Sequence, residues 1–248
     1  MSLFGLSTSN PAFTGYFWNN SGQRKTRGKM SLRGVVLKSI FCLLLVCLTA
    51  AVMWKLFFDG VEIKWFTTGG ILIAIVCSIL ISVKREWVMP LTIIYALAKG
   101  VFIGGFSAYI HKSYPNLPFQ AVIVTMATFF IMLLLYVSKI IKVTQKFKSV
   151  VITATTVIFI IYITSFILRF FGIVISFLWD SSWFAIVFNI VVAIFASLSL
   201  LLDFDYIDRY VGKAKKHYEW FATWGLLVTI IWLYVEVLRL LKKLAVRS

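Results

Sequence analysis

Two apolar runs, WFAIVFNIVVAIFASLSLLL (183–202) and EWFATWGLLVTIIWLYVEVLRLL (219–241), flank a short hinge of mixed charge, and their reading decides the fold. Each is about as long as the roughly 20 apolar residues that a helix needs to cross hydrocarbon. The first run leads into Asp203, Asp205 and Asp208, and the second carries Glu236 after a long stretch, 220–235, without charge. A carboxylate at such depth costs about 2.5–3.5 kcal/mol on insertion scales unless a partner or a wet cavity receives it. The brevity of the hinge predicts two antiparallel helices whose acids line one polar path at different heights.

The rest of the chain repeats this character. Of its 248 residues, 61% are hydrophobic and only 14% charged, with a mean hydropathy of +0.94. A soluble domain is about 45–50% apolar and about 25% charged. Seven apolar segments, near 35–57, 65–83, 88–110, 119–140, 149–170, 183–206 and 219–241, predict an all-α integral membrane protein with seven transmembrane helices. They lack the ten-residue alternation of a barrel, and backbone groups cannot stay unpaired in hydrocarbon, so helices are forced. Residues 1–34 read as a basic cytosolic arm, 35–248 as the transmembrane domain, and 171–182 as an interfacial segment.

The net charge of +16 would suggest nucleic acid in a soluble protein. Here Lys and Arg gather in short blocks between apolar runs, which fits orientation by the positive-inside rule and contact with lipid headgroups. Arg24, Lys25, Arg27, Lys29 and Arg33 share one side with Lys84 and Arg85, with Lys139, Lys142, Lys146 and Lys148, and with Arg209, Lys213, Lys215 and Lys216. That bias places the N-terminus inside. Seven spans then put Arg239, Lys242, Lys243 and Arg247 on the other side, against the rule.

Cys42, Cys47 and Cys77 show no paired spacing, and His111 and His217 lie in separate loops, so neither a disulfide framework nor a metal site is expected. No nucleotide loop, Ser-His-Asp set or HExxH motif occurs, so neither a cofactor nor enzymatic activity is expected. Gly100 and Gly104 are spaced for close helix packing. Asn189, fourteen residues before Asp203, is placed for an interhelical hydrogen bond. Ala222, Gly225, Thr229 and Glu236 form one stripe of the last helix, which favours its burial inside the others.

Several short stretches carry a resemblance: Ser9–Phe13, Tyr95–Gly100, Gly104–Ser107, Tyr114-Pro115, Gln120–Val122, Leu202–Ile207, Glu219-Trp220 and Trp232–Leu241. In this order, over nearly the whole chain, they resemble the bacterial YccA-like branch of the transmembrane Bax inhibitor motif family. The resemblance implies a bacterial inner-membrane protein, a seven-helix bundle with helix seven central, and facing acids on helices six and seven whose protonation gates a calcium leak. It equally implies an alternative, a non-conducting modulator that binds a membrane-bound quality-control protease through the N-terminal arm.

Carried over by position, the helix-six acid is Asp203, with Asp205 assisting and Glu236 further along the path. The helix-seven acid falls near Thr229, which is not acidic. Glu236 lies two turns on, about 10 Å away in height, so a direct Asp203–Glu236 pair is not expected. The family's closed-state cation falls to Lys84 or Arg85. Many relatives carry a glutamate where this chain has Lys99, mid-membrane in helix three. Lys99 is therefore expected to pair with Asp203 or Glu236 as an intramembrane counter-charge.

Overall fold

The computed structural model describes residues 28–247 except 174, 176, 177 and 179. Seven long helices account for most of them: α1 (Leu32–Phe58), α2 (Lys64–Val83), α3 (Val88–Ser113), α4 (Leu117–Val137), α5 (Gln145–Phe170), α6 (Trp183–Tyr210) and α7 (Tyr218–Arg247). All seven are long and apolar enough to cross a membrane. The basic arm read over 1–34 lies outside the described residues as far as 27, and helix α1 already begins at Leu32. The segment read as interfacial, 171–182, is described only in part.

Helix ends follow local chemistry. The side chains of Ser31, Thr144 and Ser182 accept from the backbone N–H of Gly34, Phe147 and Ala185, capping α1, α5 and α6. Pro118 sits in the first turn of α4, where its missing N–H costs nothing. Inside the spans, hydroxyls turn back onto their own helix, as in Thr92 to the Val88 carbonyl (2.7 Å) and Thr125 to the Ala121 carbonyl (2.7 Å). No polar partner need be found in lipid for them. Gly212, at φ +77°, takes the left-handed turn that separates α6 from α7.

Helix α7 is the centre. Of its most apolar membrane-length window 89% is buried, against 56% for α6, 50% for α3 and 11% for α4. Helices α1, α3, α4 and α6 all pack on it. The small-residue stripe of Ala222, Gly225 and Thr229 is buried among these neighbours. On the other flank α3 is pressed between α1 and α2. A Cβ added at Gly100 would overlap Thr49, one at Gly104 would meet Ala50 of α1, and one at Gly105 would overlap Thr67 of α2.

Candidate functional site

Asp203 stands on the face of α6 that meets α7, with its side chain sealed from solvent. The Thr229 hydroxyl donates to its Oδ2 at 2.5 Å, the short distance of an O–H bonded to a carboxylate. Thr229 thus occupies the position opposite the helix-six acid, as the family resemblance implies, but with a hydroxyl in place of a second carboxylate. The place of Asp203 near the end of an apolar run is equally that of a solvated acid at a helix end. The structure departs from that reading, because α6 continues to Tyr210 and keeps Asp203 inside the bundle.

Two turns further along α7, Glu236 is equally buried and is not paired with Asp203. Four donors converge on it: Tyr162 Oη (2.9 Å) from α5, Asn189 Nδ2 (3.3 Å) from α6, and Trp232 Nε1 (3.2 Å) and Arg239 (3.3 Å) from α7 itself. Arg239 also lies over the Tyr162 ring, 5.2 Å from its centre. Lys243, one further heptad along the same face, donates to Asn189 Oδ1 at 2.6 Å and to the Leu178 carbonyl at 3.0 Å. The knot ties α5, α6 and α7 together and satisfies Glu236 at both oxygens. The interhelical hydrogen bond expected of Asn189 is present, with Glu236 as its acceptor, whereas Tyr162 and Lys243 were missed. The heptad spacing of Glu236 and Lys243 was the available signal.

Asp205 lies towards the other end of α6, half-buried. It accepts from Lys148 of α5 (2.6 Å) and pairs with Arg209 one turn on (2.9 Å). Asp208 nearby accepts from the Tyr136 hydroxyl at 3.3 Å. The three acids named from sequence therefore stand at three successive levels of the α6–α7 pair, each with its own partners.

Lys99 has aromatic neighbours where acids were expected. Among the described residues no ion pair joins it to Asp203 or Glu236. Its Nζ lies instead 5.6 Å from the Tyr95 ring centre and 5.5 Å from that of Phe102. The height was read correctly and the facing was not. Tyr95 packs on Trp224 and Ser107 bonds Tyr234, so α3 runs parallel to α7 with Lys99 near the level of Thr229. Thr229, however, turns to α6, on the other side of the central helix. Lys84 ends α2 with its Nζ 5.8 Å from the Trp87 ring centre, and Arg85 opens the short 3-10 turn Arg85–Trp87.

A further acid went unweighted in the sequence. Glu219, in the first turn of α7, is fully buried. It accepts from the Ser31 N–H (2.9 Å) and hydroxyl (3.0 Å), and forms an ion pair with Lys38 of α1. Gly34 lies so close that an added Cβ would overlap the Glu219 carboxylate. Residues 28–30 also pair with the α6–α7 loop through backbone bonds. Among the described residues no group of three or more His, Cys, Asp or Glu could hold a metal ion.

Compared with known proteins, the chain matches the family model described as Bax inhibitor 1 like over residues 10–246. No curated protein and no solved structure matches it.

Proposed function

The chain belongs to the Bax inhibitor 1 like family, and on that premise we propose that it is a pH-sensitive cation leak, not an enzyme, with calcium as its ion and Asp203 as its gate. The observation that carries this reading is the sealed Asp203–Thr229 contact between α6 and the central helix. An ionised carboxylate only accepts hydrogen bonds, whereas a protonated one also donates. Proton exchange at Asp203 therefore changes what Thr229 can do and how α6 sits on α7. Asp205 and Glu236 lie below and above on the same helix pair, as successive stations for a cation. In the geometry described, each is engaged by its own partners, which is how a closed leak would rest.

Opposing charge is weaker here than a second carboxylate at position 229 would make it. A low conductance, gated by Asp203, is accordingly expected. Calcium entry into liposomes holding the reconstituted chain, measured for the parent and for Asp203→Asn, tests it. A parent flux that changes with pH and an Asn variant that has lost the pH response support the reading. Absence of flux in the parent defeats it.

One observation favours the alternative, a modulator that binds a membrane-bound protease through the N-terminal arm, 1–34. The root of that arm, residues 28–31, is fastened to the α6–α7 loop and to Glu219. An arm so anchored has a firm base from which to meet a partner. Removing residues 1–20 would abolish the modulator function and spare the flux.

A further inference from the structure

The fastening at residues 28–30 has an odd charge pattern. Met30 donates its N–H to the Ala214 carbonyl (2.8 Å), Lys216 to that of Gly28 (3.1 Å), and Gly212 to that of Met30 (2.9 Å). Lys29 and Lys215 form the antiparallel bridge between the two segments. The bonds run on either side of these two residues and not between them. This is the non-hydrogen-bonded kind of pair, whose Cα atoms are only about 4.5 Å apart and whose side chains leave from the same face. Like charges directly opposite one another weaken such a pair. The Lys216 side chain lies against Gly28, and Arg33 and Lys213 are exposed close by in the chain.

The buried acid of this region, Glu219, is turned inward to Ser31 and Lys38. The neighbouring His217 reports the local field. Its pKa is lowered, first by burial and then by the positive charge of Lys215. Trp220, an aromatic of the kind that sits at membrane surfaces, lies under Lys38 with the ammonium 5.4 Å from its ring centre. A short two-stranded clasp thus gathers cations at one end of the bundle, at the helix ends where a bilayer surface lies, and holds two of them face to face.

We propose that this clasp is a binding site for a phosphate group, presented by the headgroup of an acidic phospholipid at that membrane surface. A phosphate between Lys29 and Lys215 removes their mutual repulsion and closes the clasp, and the clasp in turn fixes the start of the central helix. An ordinary basic surface attracts acidic lipid without any such linkage. The distinguishing consequence is that lipid charge controls whether residues 28–30 stay paired with 212–216.

The test is hydrogen exchange at the Met30, Gly212 and Lys216 amides of the full chain in nanodiscs. Discs of phosphatidylcholine alone are compared with discs containing phosphatidylglycerol. Phosphatidylglycerol should slow exchange at these amides by about fivefold for each lysine engaged, with the amides in the middle of α7 unchanged. In Lys29→Gln/Lys215→Gln, exchange in phosphatidylcholine should be as slow as in the parent or slower, and the response to phosphatidylglycerol should vanish. Pyrophosphate added to phosphatidylcholine discs separates the sources. Protection by pyrophosphate and not by phosphatidylglycerol would keep the phosphate site and move its ligand into solution. Equal exchange in the parent under all three conditions would overturn the proposal, and so would a double variant that keeps the full lipid response. The parent comparison is decisive by itself should the double variant fail to fold.

Discussion

Replacing Glu219 should loosen the bundle more than any other single change at its ends. Glu219→Ala removes two hydrogen bonds from Ser31 and strands Lys38, whose side chain is only 20% exposed. Breaking a buried ion pair by deleting one partner costs about 3–5 kcal/mol. Lys38 already rests on Trp220 and can reach towards the interface, so the low end applies, about 3 kcal/mol. At about 2–4 °C for each kcal/mol in a chain of this size, the melting temperature in detergent should fall by about 6–12 °C. Gly34→Ala should act on the same spot, because its Cβ would overlap the Glu219 carboxylate. The two effects should then not add. In Gly34→Ala/Glu219→Ala the new methyl meets space that the acid has vacated, so the double variant should be little worse than Glu219→Ala alone. Additive losses, or losses below about 1 kcal/mol for each single variant, would refute this account of the contact.

Three further outcomes follow from other parts of the bundle. Gly104→Leu should drive α1 from α3 at Ala50, and overpacking of this kind costs about 1–3 kcal/mol, read as a lower melting temperature. Lys99→Met should stabilise the protein by about 1 kcal/mol. It deletes a membrane-centre charge of about 2.5–3.5 kcal/mol and forfeits ring contacts of about 2 kcal/mol at most; a loss of stability on thermal unfolding would mean that an acid partner exists. For His217 the folded pKa is lowered by burial and by Lys215, so the folded state binds fewer protons than the unfolded one. Stability is then fully present above the ordinary histidine value and declines as pH falls through it towards the folded value. Melting curves between about pH 8 and about pH 5.5 should show a decline in the parent that His217→Gln reduces.

Much of this architecture was legible because hydrocarbon permits few alternatives. Runs of apolar residues long enough to span had to be helices, and the small-residue stripe of Ala222, Gly225 and Thr229 marked α7 as the buried one. The family resemblance, carried over by position, put Thr229 where a helix-seven acid would face Asp203, and that contact is present. The facing of one helix relative to another could not be read in this way. Lys99 shared the level of the acids, but its side of α3 depends on how Tyr95 and Ser107 dock on α7, which spacing along the chain does not encode. The clasp was hidden for a related reason. Glu219 reads as an ordinary acid in the first turn of a helix, and Ser31, its partner, is 188 residues away. Asp205 and Glu236, expected as stations on a path, also pair with Arg209 and Arg239 on their own helices, and Lys148 and Tyr162 add partners from outside the immediate sequence.

The central claim concerns Asp203, and calcium flux measures it most directly. The purified chain is reconstituted into liposomes loaded with a calcium-sensitive dye, and entry is followed at about pH 6 and about pH 8, on either side of neutrality. The account predicts entry by the parent at rates that differ between the two conditions, and entry by Asp203→Asn at rates that do not. A parent that admits no calcium at either pH, or an Asn variant that keeps the parent's pH response, would contradict it.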